Sequence, residues 1–369
     1  MGISAAVLTG VGQPFAVRHD VEVEAPRAGE IRIKVAACGV CRSDLSMQDG
    51  TTPVPMPVVL GHEASAVVQE AGEGVTDLAP GDHVVVSWVP QCGACYFCRR
   101  GQPHLCQAAD AVLLAGGLLD GSPRLRLDGA PLFQMCGAGT YAEETVVSAS
   151  AAVRIPDDVP LDIAALFGCS VLSGVGAALN TATISPGDAV AVVGCGGVGL
   201  NVIQGARIAG AEVIVAVDVH AAKLDTAREL GATHTVDASR SDPADVVRDL
   251  TGQRGADVAF EVLGRQRTIE QTVEMTRRGG QAILVGIPPL DVMLTLPAFL
   301  GFVLQERTVK GCWYGSSDMR RDVPRFLDLY RSGKLRLDEL VSRRIGLAEV
   351  NDAMEAMKAG EVARSVIVY

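Results

Sequence analysis

Four cysteines crowd one short stretch: Cys92, Cys95, Cys98 and Cys106, spaced C-x2-C-x2-C-x7-C. Thiolates this close can converge on one tetrahedral Zn²⁺ without long loop closure, and a site with all four positions filled by protein is structural. Gly93, Gly101 and Pro103 permit the sharp reversals such a lobe requires. Two other readings share the pattern. An iron–sulfur cluster is also held by four thiolates, and a disulfide pair is the ordinary fate of cysteines in an oxidising compartment.

Three more residues are scattered along the chain. Cys41 lies in Cys38-Gly39-Val40-Cys41-Arg42-Ser43-Asp44, His62 in Gly61-His62-Glu63, and Cys169 in Phe167-Gly168-Cys169-Ser170. Alone, each reads as a buried small hydrophobe or a satisfied polar residue. Together, two cysteines and one histidine are a known donor set for catalytic zinc, with the fourth position left for water or substrate.

A third signal is Val192-Val193-Gly194-Cys195-Gly196-Gly197-Val198-Gly199, which contains G-x-G-x-x-G. It follows an apolar run, Ala189 to Val193, and opens a helical segment, Gly197 to Ala209. A second apolar run, Glu212 to Val217, then stops at Asp218. That context is what a dinucleotide fingerprint requires. Gly194 permits the tight turn, Gly196 admits a pyrophosphate, Gly199 lets helix and strand pack closely, and the phosphates sit at the helix N-terminus. Asp218 can accept hydrogen bonds from ribose hydroxyls, and its charge repels a 2′-phosphate, so NAD is favoured over NADP.

The elements that must position these residues come in two styles. Up to about Pro156 the chain reads as short strands and turns: Glu30 to Val35 alternates, and Ala64 to Glu70 and His83 to Val89 follow. Beyond it, apolar runs (also Ala256 to Glu261 and Gln281 to Val285) alternate with helical stretches such as Ala221 to Leu230, the pattern of a parallel α/β sheet. An amphipathic segment, Val350 to Met357, and a strand, Ser365 to Tyr369, close the chain.

Composition bounds the reading. The 369 residues are 48% hydrophobic and 20% charged, which excludes wholesale disorder. Two domains are the natural expectation for that length. Aromatics are only 4%, so Ala, Val, Leu and Ile must build the core. A net charge of −11 argues against nucleic acid as a partner. No apolar run reaches transmembrane length, and Met1-Gly2-Ile3-Ser4 does not open a signal peptide. A cytoplasmic, reducing setting is therefore expected, in which the ten cysteines serve metals rather than disulfides.

In their order along the chain, Gly39 to Asp44, Gly61-His62-Glu63, the four-cysteine lobe and the glycine fingerprint resemble the zinc-dependent alcohol dehydrogenases of the medium-chain dehydrogenase/reductase family. The resemblance spans nearly the whole length. It implies an α/β protein: a GroES-like β-rich catalytic domain over 1–170 and 314–369, and a Rossmann doubly wound parallel sheet over 171–313. It implies two Zn²⁺ per chain, a catalytic one on Cys41, His62 and Cys169 and a structural one on Cys92, Cys95, Cys98 and Cys106. Asp44 matches the carboxylate behind the zinc-bound histidine, Glu63 the carboxylate that can transiently ligate zinc, and Ser43 the hydroxyl that takes the substrate proton. Arg42 and Arg364 match pyrophosphate contacts, Lys223 a neighbour of the adenosine ribose, and Ser173, Val198 and Val285 the packing around the nicotinamide. Trp88, Met135 and Trp313, with Leu113 or Leu114, are expected to line an apolar substrate pocket. The long segment between Cys106 and Gly137 is similar to the dimeric branch, so a homodimer is expected, with the apolar stretch Leu113 to Leu119 buried or facing a partner.

The implied activity is reversible hydride transfer between a primary or secondary, aliphatic or aromatic alcohol and NAD. Two departures qualify it. Ser46 stands where members with a full proton relay often carry His. Gln107 to Asp110 offers no Arg for the carboxylate of a glutathione adduct, which disfavours that substrate. Two alternatives share these motifs: an enzyme of the same kind that keeps its NAD bound and uses an external electron acceptor, and a catalytically silent zinc-binding structural protein.

Overall fold

The computed structural model describes residues 2–369, apart from the side chain of Leu114. The chain divides into two compact units: Met1–Cys169 with Asp318–Arg325 and Val341–Tyr369, and Ser170–Ser317 with Phe326–Leu340. Among the described residues no single helix is long and apolar enough to cross a membrane.

The first unit is β-rich. Strands Ile3–Leu8, Ala16–Val23, Leu125–Leu127, Ala130–Gln134 and Val58–Val59 close into a barrel. Beside it runs a sheet in the order Ala152–Arg154, His83–Val86, Glu63–Ala71, Glu30–Gly39, Ser365–Val368, Arg343–Ile345, with Glu144–Ser148 also paired to Glu30–Gly39. Glu30–Gly39 and Glu63–Ala71 lie antiparallel, and their register sets Gly39 opposite Glu63. Cys41 and His62 stand just beyond those two positions, so the pairing alone brings them to one end of the sheet. The buried faces are mostly Ala, Val and Ile, as the scarcity of aromatics requires.

The second unit carries six parallel strands in the order His234–Asp237, Val213–Asp218, Ala189–Val193, Ala256–Glu261, Thr276–Leu284, Thr308–Gly311. Numbered along the chain within this unit, that order is 3-2-1-4-5-6, the doubly wound arrangement whose ligand crevice opens where the order reverses, at the carboxyl ends of strands 1 and 4.

The division departs from the expected 314–369 segment. Asp318–Arg325 lies with the first unit, but Phe326–Leu340 returns to the second. Hydrogen bonds give the reason: Gln204 pairs twice with the Arg336 backbone, at 2.9 and 2.8 Å, and Arg207 donates to Lys334 O at 2.5 Å. The region after Cys106 also differs from a run of strands, since Gln107–Ala115 is helical and ends on Gly116 at φ +65°. Within the apolar stretch expected there, Leu118 is buried and Leu119 is exposed.

Candidate functional site

The strand Glu30–Gly39 leads through Val40 into a short helix, Arg42–Gln48, with Cys41 at its N-cap in extended backbone. The strand Glu63–Ala71 starts one residue after His62. Cys169 follows the 3₁₀ turn Ala165–Gly168, whose Gly168 passes so close to the sheet that a Cβ there would lie 2.6 Å from Val86 O. Cys41, His62 and Cys169 are all buried, and their ligand atoms lie within 4.8 Å of one another.

Asp44 organises this set. Its carboxylate is fully buried and accepts from Cys41 N at 2.8 Å, Gly61 N at 3.1 Å, His62 Nδ1 at 3.3 Å and Tyr141 Oη at 2.9 Å. With Nδ1 turned to a carboxylate, Nε2 is left as the ligand atom, an orientation that also raises ligand basicity. Gly61 makes the approach possible. It sits at φ +88°, and a Cβ there would lie 2.6 Å from the Tyr141 ring.

The electrostatics suit a cation. A hydrogen bond from Cys169 holds the Cys41 thiol well below its ordinary value despite burial, helped by the charges of Arg364 and His62. As the donor of that bond, and buried, Cys169 is pushed up. Burial alone would lower His62, but Asp44 and Cys41 carry it well above its usual value. Zinc takes thiolates and neutral imidazole as ligands, so binding at this set releases protons. The donors therefore fit zinc with one position open.

The second cluster fits a closed zinc site. Cys92, Cys95, Cys98 and Cys106 place their sulfurs within 4.8 Å of one another. The lobe's own backbone bonds to them: Cys92 N to Cys106 Sγ at 3.3 Å, Cys95 N to Cys92 Sγ at 3.3 Å and Cys98 N to Cys95 Sγ at 3.5 Å. Backbone bonding from Cys98 and Gln107 brings the Cys95 thiol down to about 6. Such bonds favour the thiolate, which is the ligating form.

In the second unit, Gly194 turns at φ +103° directly after the strand Ala189–Val193, and its N–H donates to Val217 O at 2.8 Å. A Cβ on Gly199 would sit 1.8 Å from Gly194 O, so that close approach excludes any side chain. A Cβ on Gly196 would meet nothing within 4 Å, which leaves the N-terminus of helix Gly197–Ala209 open to an anion. Asp218 ends the adjacent strand. Its Oδ2 accepts from Cys195 N at 2.8 Å, and its Oδ1 from Val219 N and His220 N at 2.8 and 3.0 Å. The helix bearing Ser173 packs tightly here, because a Cβ on Gly174 would lie 2.4 Å from Val198 O. Lys223 and Val285 are half-buried.

Alcohol dehydrogenase GroES-like domain is the description of the family matching residues 27–157, and zinc-binding dehydrogenase that matching residues 197–332. The NDMA-dependent alcohol dehydrogenase of Amycolatopsis methanolica is 38% identical over 371 residues, covering 100% of this chain and 99% of its own. The class-3 alcohol dehydrogenase of Cereibacter sphaeroides is 36% identical over 380 residues, covering 100% of both. The crystal structure of benzyl alcohol dehydrogenase from Acinetobacter calcoaceticus superposes with a TM-score of 0.94 at 30% identity, covering 100% of this chain and 99% of that one.

The chain belongs to the zinc-dependent alcohol dehydrogenase family. Membership makes it an NAD-dependent oxidoreductase acting on alcohols, and implies zinc and NAD(H) as cofactors.

Seen as an alcohol dehydrogenase, the chain distributes its expected residues as follows. Ser43 is half-buried, its Oγ 3.9 Å from Cys41 Sγ, and Arg42 beside it is exposed. Ser46 Oγ donates back to Arg42 O at 3.2 Å. Glu63 is fully buried, and a Cβ on Gly39 would collide with its carboxylate at 2.3 Å. Arg364 has contacts other than those expected of a pyrophosphate ligand. Its guanidinium is buried, donates to Val40 O at 2.8 Å and lies 3.4 Å from Glu63 Oε1. Burial works against its charge, but Glu63 and the two zinc cysteines raise its pKa further. Trp88 meets the His62 ring edge-on, with centroids 6.4 Å apart. Met135 is 1% exposed and packs inside the first unit. Trp313 is half-buried on the second unit, as is Leu113 on the first, while the side chain of Leu114 lies outside the described residues.

Tyr141 escaped the sequence reading. Nothing near it in sequence marks it, and only the fold brings its hydroxyl to Asp44.

Proposed function

We propose that the chain oxidises primary or secondary alcohols of apolar aliphatic or aromatic character, reversibly, with NAD. The observation that carries this reading is the buried convergence of Cys41, His62 and Cys169 with Asp44 behind the imidazole. Three protein donors leave one position of a tetrahedral site for substrate. Zinc held there supplies Lewis-acid activation of a substrate oxygen, and NAD supplies the hydride acceptor. The chain does the rest. Asp44 fixes the ring of His62, and Ser43, the half-exposed hydroxyl nearest Cys41, receives the substrate proton and passes it outward. With Ser46 in place of a histidine, water is the proposed final acceptor. Glu63, with Arg364 against it, keeps a carboxylate at the rear of the set.

Gly194, Gly196, Gly197 and Gly199 cradle the pyrophosphate, and Asp218 selects NAD by repelling a 2′-phosphate. Ser173, Val198 and Val285 are proposed at the nicotinamide, Lys223 near the ribose, and Arg42 as a cationic contact. For the pocket, Trp88 is supported by its contact with His62. The stoichiometry proposed is two Zn²⁺ per chain, one catalytic and one structural.

A homodimer is the proposed assembly. Leu290, Met293, Phe299, Leu300 and Val303 are exposed together just before the edge strand Thr308–Gly311, and a patch of that kind calls for a covering surface. The proposed compartment is the cytoplasm, where thiols stay reduced. The NDMA-dependent relative favours one second reading, an enzyme with permanently bound NAD and an external acceptor. Absorbance of the desalted protein near the nicotinamide band, with a screen of alcohols against NAD and an artificial acceptor, separates the two. No alcohol-dependent reduction of either acceptor would overturn both.

A further inference from the structure

The parallel sheet of the second unit has another end, where its strands begin. Arg248, Arg254, Arg277, Arg278 and Arg307 line a cavity of about 550 Å³ there, with Glu274 the one acidic residue in the lining. In a chain of net charge −11 such a concentration runs against the average.

Two of the five are neutralised. Arg277 Nε donates to Asp257 Oδ1 at 2.5 Å, and Arg248 pairs with Asp245 at 2.5 Å and Glu274 at 3.6 Å. Arg254 and Arg278 are exposed and differ in kind. Each engages only its Nε, toward Thr251 O at 2.9 Å and Gln305 Oε1 at 3.3 Å, and among the described residues neither has a carboxylate within ion-pair distance. Their terminal amino groups are left free to bind. Arg307 has a buried Nε with no hydrogen-bond partner, and its two other contacts, to Gly301 O and Glu274 O, are long at 3.5 and 3.4 Å. Burial presses its pKa down, the charge of Glu274 opposes that, and the nearby charges of Arg248 and Arg278 add to the lowering. Closing helix carbonyls accounts for one bond on Arg254. It does not account for three guanidiniums on one cavity that, among the described residues, have no carboxylate within ion-pair distance.

The glycine turn follows Val193 at the opposite end of the sheet. Strands of five or six residues at ~3.3 Å per residue separate the two ends by roughly 17–20 Å. A molecule in the arginine cavity is therefore not the cofactor in its fingerprint.

We propose that this cavity binds a small metabolite carrying two or more phosphoryl groups. Guanidinium forks match phosphate oxygens two at a time. Three guanidiniums without a carboxylate in ion-pair contact call for more charge than one carboxylate brings, and Glu274 offsets only part of theirs.

Inorganic pyrophosphate is the probe, titrated calorimetrically into the zinc-loaded protein with NADH saturating, so that the nucleotide turn is occupied. One site per chain is expected. The Arg254→Gln/Arg278→Gln double variant should bind pyrophosphate roughly tenfold or more weakly, with turnover unchanged, whereas Arg267→Gln, an exposed arginine outside the cavity, should bind it as the parent does. No binding by the parent, or undiminished binding by the double variant, overturns the proposal. Citrate binding as tightly as pyrophosphate overturns the phosphoryl assignment. A double variant that loses its dimer, beside a parent that binds nothing, assigns the cluster to subunit contact instead.

Discussion

Tyr141 and Asp44 stand 97 positions apart, yet the Tyr141 hydroxyl donates to Asp44 Oδ2 at 2.9 Å, with both side chains fully buried. This bond lets one carboxylate satisfy four donors at once. It ties the orientation of His62 to a residue that touches neither metal nor substrate. Tyr141→Phe should leave the fold intact while loosening Asp44. The expected cost is about 1–3 kcal/mol in stability and a loss of metal affinity or turnover of up to about 10–100-fold. Zinc content after mild dialysis, measured beside kcat, checks it; full zinc retention with normal turnover would remove Tyr141 from the positioning network.

The two metal sets should fail differently. Cys169→Ala removes a donor from a three-residue set in an already folded unit, so turnover should vanish with little change in Tm. Cys95→Ala opens a closed site whose binding energy is folding energy. A loss of at least about 3 kcal/mol, or roughly 6–12 °C in Tm, is expected. Equal melting of the Cys95 variant and the parent would dismiss the structural role.

Chelation sharpens the same contrast. Brief treatment should strip the open set first and abolish activity at unchanged far-ultraviolet circular dichroism, and added Zn²⁺ should restore it. The closed lobe, with no open position, should release its metal more slowly, and its release should coincide with loss of stability. Simultaneous loss of both metals would count against that distinction.

At the nucleotide turn, Gly199→Ala places a methyl 1.8 Å from Gly194 O. The turn must open, and NAD affinity should fall at least tenfold, an energetic change of about 1.4 kcal/mol. Asp218→Gly should instead narrow the NAD/NADP preference by removing a fixed negative charge, at some cost in stability because Cys195, Val219 and His220 lose their acceptor. Kinetics with both cofactors measure this. An unchanged ratio would exclude Asp218 from the ribose site.

Substrate range gives a further check. Asp110 is exposed in the first turn of helix Gln107–Ala115, and no arginine accompanies it over Gln107 to Asp110. S-(hydroxymethyl)glutathione should therefore be turned over at least tenfold less efficiently, in kcat/KM, than benzyl alcohol. Comparable efficiency would show that another cation receives its carboxylate.

Motif spacing was enough to read the four-cysteine lobe, the glycine fingerprint and the α/β alternation, because each is written in local chemistry, whereas Cys41, His62 and Cys169 were joined into one set only by resemblance to the family. Thiolates two residues apart share a metal, and a glycine turn between strand and helix needs no distant partner. In the second unit helix Ala221–Leu230 and strand Ala256–Glu261 follow from the same local periodicity, whereas the strand expected over Gln281 to Val285 begins earlier, at Thr276, and ends at Leu284. Long-range packing decided the rest. Antiparallel register carried Cys41 to His62, and a glycine passing against Val86 O brought Cys169 to both. Hydrogen bonds from Gln204 and Arg207 drew Phe326–Leu340 back to the second unit. Burial turned Arg364 toward Glu63 and Met135 into the core. Five arginines, spread from Arg248 to Arg307, met where parallel strands begin. None of these is visible in sequence, because each depends on which residues of remote segments come to share one buried or charged neighbourhood.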